Sequence, residues 1–117
     1  MSINVINLVG RAGRDPEIKY FEDTGSAKCT FTIAVKRPTS KDEGPDWFDL
    51  ELWGKTAQVA ADYVKKGSLI GITGELKFDY WSDKNTGVNR SKPIIRVNKL
   101  DLLGSKADNE ANRDFEL

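Results

Sequence analysis

The chain contains no histidine and only one cysteine among its 117 residues. Without histidine it lacks the general base of serine and cysteine hydrolases and the usual zinc ligand sets, so most enzyme classes are excluded. A single cysteine, Cys29, cannot form an intramolecular disulfide, which favours a reducing compartment. The chain also lacks a long apolar run and a basic-then-apolar beginning. We therefore expect no membrane span, no secretory signal and a cytoplasmic location.

Neither sign of charge dominates the chain. It carries 18 basic and 18 acidic residues, for a formal net charge of zero, so bulk charge alone does not predict a polyanionic partner. A hydrophobic content of 38% is sufficient for one core and argues against disorder. We expect one domain over residues 1–104, followed over residues 105–117 by a short polar, mildly acidic and flexible tail.

Alternation of apolar and polar side chains, which is typical of strands, accounts for most of the apolar residues. Residues 27–36, AKCTFTIAVK, alternate almost perfectly, and Cys29 falls on the apolar face, where it acts as a small buried hydrophobe. Residues 3–9, INVINLV, are apolar on both faces. A strand of that kind needs cover on both sides, and in so small a domain the second cover is expected from another subunit. A short extended piece that ends near Phe21 follows this strand.

The second half of the chain contains the only predicted helix. TAQVAADYVKKG, residues 56–67, has an apolar stripe at helical spacing and a terminal glycine. Strands are predicted over 68–81 and 93–103, the last with a β-bulge near Asn98–Lys99 because its apolar phase shifts there. The element order predicts an all-β fold, a five-stranded Greek-key barrel of the OB type, with one short helix between the third and fourth strands.

The segment PDWFDLELWGK, residues 45–55, separates its side chains between two faces of a predicted strand. One face has two tryptophans and two acids, and the other has three apolar, core-facing residues. These sets are Trp47, Asp49, Glu51 and Trp53 on the first face, and Phe48, Leu50 and Leu52 on the second. An exposed indole stacks on unpaired bases of any sequence, because every base has a π-face. The alternative is that Trp47 and Trp53 pack against a neighbouring chain or under the polar loop 37–46.

Trp81 is the third candidate for stacking on a base. It shares a strand face with Lys77 and Asp79, opposite Phe78 and Tyr80, and an indole near a lysine is suited to a base beside its phosphate. The alternative is an aromatic side chain at a hairpin tip that folds back over its own strand. Phe78 and Tyr80 are expected in the barrel wall, unless the strand projects beyond the barrel.

Three stretches of the sequence, in order, resemble the bacterial and organellar single-stranded-DNA-binding proteins: INLVGRAGRDPEIKY, DWFDLELWGKTAQVAADYVKKGS and IGITGELKFDYWSD. The similarity runs from about Ile3 to Gly104. The resemblance implies an OB-fold homotetramer that coats single-stranded DNA in replication, recombination and repair, without catalysis, cofactor or metal. It also implies a nucleoid-associated, cytoplasmic location, with an organellar one left open. By the same resemblance, tryptophans stack on bases and lysines lie near the DNA, at positions Trp47, Trp53, Trp81, Lys55, Lys66 and Lys77.

The chain departs from the family pattern in two places. Asp49 and Glu51 lie between two tryptophans, where the family often has basic or neutral residues, so either the DNA backbone passes elsewhere or these acids pair with lysines such as Lys55 or Lys77. The family usually ends in an acidic tip that closes in Pro-Phe and recruits replication and repair proteins. This sequence ends in NRDFEL, so the resemblance does not extend that recruitment to this chain.

Two other functions compete with DNA coating. A primosomal adaptor of the same fold would bind single strands but mainly bridge other replication proteins. A nuclease would use Asp46, Asp49 and Glu51 as a magnesium site. In a regular strand, however, Asp46 points away from the other two acids, and no basic catalytic partner is evident, so we expect the protein not to be an enzyme.

Overall fold

The computed structural model describes residues 3–37 and 44–103. Within these ranges the chain forms an all-β fold with one short helix, as predicted. The extended piece near Phe21 forms a separate strand, so the helix follows the fourth strand and not the third. The predicted tail and residues 38–43 of the polar loop lie outside the described residues. The elements are β1 (Ile6–Ala12), β2 (Glu17–Phe21), β3 (Ser26–Val35), β4 (Asp46–Trp53), α1 (Gly54–Tyr63), β5 (Leu69–Ser82) and β6 (Asn89–Leu102).

The strands form one sheet that closes on itself. Its order is β1-β5-β6-β4-β3-β2, and an additional pairing joins β1 to β3. That closing contact is short and antiparallel, with Arg11 opposite Ala34 and Ala12 opposite Ile33. Strands β4 and β6 run parallel, whereas the other neighbouring pairs are antiparallel. Closure removes most free strand edges, as expected for an OB-type barrel, while β2 remains an edge strand beside β3.

The barrel interior is filled by the apolar faces that alternation predicts. Phe31, Ile33, Leu50, Leu52 and Ile70 are fully buried there, and the α1 alanines Ala57 and Ala60 pack into the same core. Cys29 is also fully buried, as predicted, and burial raises the pKa of its thiol to about 11. The thiol therefore stays protonated at neutral pH and behaves as a packing group. No helix in the described ranges has the length and apolar character needed to cross a membrane.

The predicted β-bulge is present in β6. Thr73 pairs with Lys99 and the next residue, Gly74, pairs with Val97, so Asn98 is the extra residue. A Cβ atom at residue 74 would collide with the backbone carbonyl of Arg96, so glycine is what allows β5 to approach β6 at this point.

Three aromatic residues are more exposed than the sequence predicts. Strands β5 and β6 remain paired as far as Ser82 and Asn89, and Phe78 and Tyr80 are exposed on this outer part. The expectation that they belong to the barrel wall is therefore wrong, because the hairpin projects beyond the barrel. Phe48 is also exposed and is not part of the core, although it lies directly opposite the buried Ile33 of β3.

The outward face of β1 lacks a covering element within residues 3–37 and 44–103. Ile6 and Leu8 pack against the core, whereas Ile3, Val5 and Val9 are exposed. The sequence predicts this two-sided apolar character over residues 3–9, and the described part of the chain covers only one of the two sides.

Candidate nucleic-acid interface

All three tryptophans lie on the outward side of the sheet and are accessible to different degrees. Trp47 is 60% exposed and Trp81 is 46% exposed, whereas Trp53 is half-buried. Trp47 and Trp53 project from β4, opposite the buried Leu50 and Leu52. Trp81 lies near the end of β5, on the projecting hairpin. Strand β4 therefore places its two indoles on one face and the buried Leu50 and Leu52 on the other, as predicted. Phe48 is the exception, because it shares the face of the leucines but is exposed.

The indole of Trp47 lies against the loop that follows β1. A Cβ atom at residue 13 would collide with Cζ3 of Trp47 and with the hydroxyl of Thr32. Gly13 is itself fixed to β3, because its backbone N–H donates a 2.9 Å hydrogen bond to the Thr32 carbonyl. The absence of a side chain at Gly13 thus allows the ring to rest on the backbone while most of the residue remains exposed.

Trp53 is held by three neighbouring side chains. Phe21 stacks against it with ring centroids 5.9 Å apart and an interplanar angle of 25°. Its Nε1 donates a 2.6 Å hydrogen bond to Oε1 of Glu51. The Lys28 ammonium lies 5.4 Å from the ring centroid, within the range of a cation–π interaction. Sequence analysis did not identify Phe21 or Lys28, because both depend on the register of β2 and β3.

Glu51 connects Trp53 to two lysines. Only 3% of the residue is exposed, and its Oε2 lies 3.1 Å from the Lys77 ammonium and 3.7 Å from that of Lys28. Burial acts to raise the pKa of the Glu51 carboxyl, but the hydrogen bonds from Trp53 and Lys77 and the charges of both lysines hold that pKa below its usual value. Of the two alternatives left open for this acid, the structure shows pairing with lysines, and the partners among the described residues are Lys77 and Lys28 rather than Lys55.

Two further acids of β4 also have cationic partners. Asp49 pairs with Lys92 at 3.5 Å, and Asp46 pairs with Arg37 at 2.6 Å. The three carboxylates considered for a magnesium site are therefore bound to different cations. In the part of the chain that the structure describes, no group of three or more His, Cys, Asp or Glu residues could hold a metal ion.

The three predicted lysines have different surroundings. Lys77 lies between Glu51 and Asp79. Burial acts to lower the pKa of its ammonium, but hydrogen bonds and charge from those two acids raise that pKa. Lys55 is exposed in the first turn of α1. Lys66 is exposed after the helix, and its backbone N–H donates a 2.8 Å hydrogen bond to Asp15.

The three predicted phosphate-contacting lysines differ in position and in competing partners. The carbonyl of Ala12 accepts a hydrogen bond from Gly67, so the turn with Lys66 lies beside the loop under Trp47. Within the described ranges, neither Lys55 nor Lys66 has a salt bridge, whereas Lys77 has two carboxylate partners. A phosphate contact of Lys77 therefore competes with these carboxylates.

Comparisons with known proteins agree with this arrangement. The model of the Single-strand binding protein family matches residues 3–103. The chain is 72% identical over 110 residues to Single-stranded DNA-binding protein 1 of Synechocystis sp., covering 93% of this chain and 90% of the relative. It is 64% identical over 112 residues to the Single-stranded DNA-binding protein of Thermosynechococcus vestitus, covering 96% and 92%. A more distant relative, the Single-stranded DNA-binding protein of Borreliella burgdorferi, is 36% identical over 119 residues, covering 98% and 79%. The chain therefore belongs to the single-strand binding protein family.

Proposed function

We propose that this protein binds and coats single-stranded DNA without strong sequence preference and without catalysis, in DNA replication, recombination and repair. Exposed indoles on the outward side of a closed barrel are the observation that carries this proposal. Family membership supports it, as do the relatives, which are named single-stranded DNA-binding proteins. These relatives give no support to the adaptor alternative. We expect the protein to act in the cytoplasm, on the nucleoid.

Base stacking explains both the affinity and the lack of sequence preference. Trp47, Trp53 and Trp81 present flat rings that accept any base, and each stacked base contributes roughly 1–3 kcal/mol. Trp47 and Trp81 are accessible as they stand. One face of the Trp53 ring is already stacked on Phe21, so Trp53 has only its remaining surface to offer to a base. Lys55, Lys66 and Lys77 are proposed as phosphate contacts near these rings.

The charge pattern favours a moderate dependence of affinity on salt. Glu51, Asp49 and Asp46 each pair with a nearby lysine or arginine, and the formal net charge of the chain is zero, so we expect few phosphates to be neutralised. Each phosphate contact on a single strand contributes about −0.7 to the slope of log affinity against log salt. We expect a slope no steeper than about −5.

We propose that the functional unit is a homo-oligomer, with a tetramer as the expected form. The uncovered apolar face of β1 supports association, because exposed apolar patches of this kind mark interaction surfaces. Among the described residues, the stretch of β1 from Ile6 to Gly10 pairs with β5 alone, since its contact with β3 begins at Arg11. That edge of the strand is also available to a second copy. The tetrameric state is implied by the family resemblance. Light scattering that gives 13.1 kDa particles, the mass of one chain, at micromolar concentration would contradict association.

A fluorescence titration tests the DNA-binding proposal. Protein is titrated with a thymidine homopolymer at several salt concentrations, and quenching of tryptophan emission is recorded. We expect saturable quenching, because stacked bases quench the indoles. Absence of quenching and of binding by gel shift would reject the proposal. Cleavage of a labelled strand in the presence of magnesium would reject its non-catalytic part.

A further inference from the structure

The edge strand β2 places an aromatic ring and a lysine on the same side of the sheet as Trp53. Lys19 is directly opposite Lys28, and Lys28 is directly opposite Trp53. Residues directly opposite each other in antiparallel strands project to the same face, as do residues two apart in one strand. Phe21 therefore shares this face, and its ring stacks on Trp53 while 41% of the residue remains exposed.

The cross-strand pair Lys19–Lys28 brings together two like charges. Like charges directly opposite each other in a sheet are unfavourable, and only Lys28 has a compensating carboxylate, Glu51 at 3.7 Å. Lys19 is exposed and has no salt bridge with any residue in the described ranges. An anion beside these two ammonium groups relieves their repulsion, and the anion nearest to a base stacked on Phe21 is that nucleotide's own phosphate.

We propose that Phe21, Lys19 and Lys28 form a further nucleotide subsite on β2. A base stacks on the outward side of Phe21 and so continues the existing stack of Phe21 on Trp53. Its phosphate lies beside Lys19 and Lys28. The strand of DNA then runs over the edge of the sheet at β2 and does not end at Trp53. This inference rests on the proposed function and specifies where the DNA leaves the indoles.

The first experiment compares Phe21→Leu with Tyr20→Leu. Tyr20 is the neighbouring exposed aromatic, its side chain points to the other face, and its hydroxyl hydrogen-bonds Gln58. Leucine preserves apolar bulk at both positions but removes the π-face. We expect Phe21→Leu to weaken binding of a thymidine homopolymer about 5- to 30-fold. Tyr20→Leu should change it by no more than about twofold. Equal affinities of the two variants for the homopolymer overturn the proposal. Stronger quenching of the indoles by DNA in Phe21→Leu than in wild type also overturns it, because that result would mean that Phe21 only shields Trp53.

The second experiment concerns the phosphate. Lys19→Gln should reduce the steepness of the salt slope by about 0.7, the value of one phosphate contact on a single strand. Lys99→Gln provides the control, because it makes the same change in net charge at an exposed lysine on β6 that pairs with Asp101. A slope change that is the same in both variants overturns the assignment of Lys19.

The third experiment needs no variant and so does not depend on folding of a mutant. The native protein is irradiated with a homopolymer that contains 5-iodouracil, and the cross-linked peptides are mapped after trypsin digestion. We expect a cross-link to Phe21 in the peptide spanning residues 20–28. Cross-links to tryptophans alone overturn the subsite but leave the proposed function intact. A native protein that neither binds nor cross-links overturns both.

Discussion

Replacing Glu51 by glutamine should lower stability and, at low salt, strengthen DNA binding. The carboxylate is almost fully buried, accepts the indole N–H of Trp53, and lies within 3.1 and 3.7 Å of Lys77 and Lys28. Glutamine retains an acceptor for Trp53 but removes the negative charge that holds the two lysines. The substitution is therefore expected to lower the stability of the fold and to raise the affinity for DNA.

The expected loss of stability is moderate. A hydrogen bond to a charged group contributes about 1.5–3 kcal/mol and a neutral one about 0.5–1.5 kcal/mol. About a third of each lysine side chain is exposed, and solvent screening reduces the contribution of such pairs. We therefore expect Glu51→Gln to lower the free energy of unfolding by about 1–2 kcal/mol, measured by urea denaturation.

The expected change in DNA binding follows from Lys28 and Lys77, whose proposed phosphate contacts compete with Glu51 in the wild type. Removing this competition should steepen the salt slope by up to about 0.7 for each lysine, and by less for Lys77, which keeps Asp79 as a partner. The assay is a homopolymer titration at four salt concentrations. Asp101→Asn is the control, because it removes one negative charge that pairs with Lys99 on another part of the sheet. If the Glu51→Gln slope equals that of the control, Glu51 does not shield these lysines from DNA.

Three further predictions concern the ring surface, the bulge and acid. Trp47→Ala should weaken homopolymer binding about 5- to 150-fold. It should not lower the melting temperature, since the side chain is mostly exposed. Gly13→Ala should also weaken homopolymer binding, because the added methyl group displaces the indole of Trp47. An unfolded Trp47→Ala would show instead that the residue is a packing residue. Gly74→Ala should cost about 1–3 kcal/mol in urea denaturation, because its Cβ meets the carbonyl of Arg96; unchanged stability would contradict the close approach. The pKa of Glu51 is held below its usual value in the folded protein. Its contribution to stability is therefore complete above the ordinary glutamate pKa and is lost as the pH falls through the lower folded value. Acidification should lower the melting temperature of Glu51→Gln less than that of wild type.

Strand periodicity was sufficient to predict which side chains share a face. The alternation in β3 correctly places Cys29 and Phe31 inside. The phase shift in the last strand correctly predicts a bulge near Asn98–Lys99, where the structure has Asn98 as the extra residue. Both patterns are local, because successive side chains of a strand point to opposite faces whatever the rest of the chain does. The fold class followed from the order of these strands and the position of the helix.

Periodicity does not indicate where along a strand the barrel ends. Phe48, Phe78 and Tyr80 lie in phase with core residues of their own strands, yet they are exposed. Whether such a residue is buried depends on which elements lie opposite, and that is a property of the closed sheet. The same limit explains why Phe21 was missed, since its contact with Trp53 depends on the pairing of β2, β3 and β4.

The surroundings of the indoles favour binding by rings fixed in place before the DNA arrives. Trp53 is oriented by Glu51 and Phe21, and Trp47 rests on Gly13. Immobilising a flexible side chain on binding costs about 0.5–1.5 kcal/mol, a cost comparable to the gain from one weak stack. Rings whose positions are already set avoid most of that cost. In the proposed binding mode, unpaired bases therefore meet a rigid aromatic platform, and the acids between the tryptophans neutralise some of the lysines beside it.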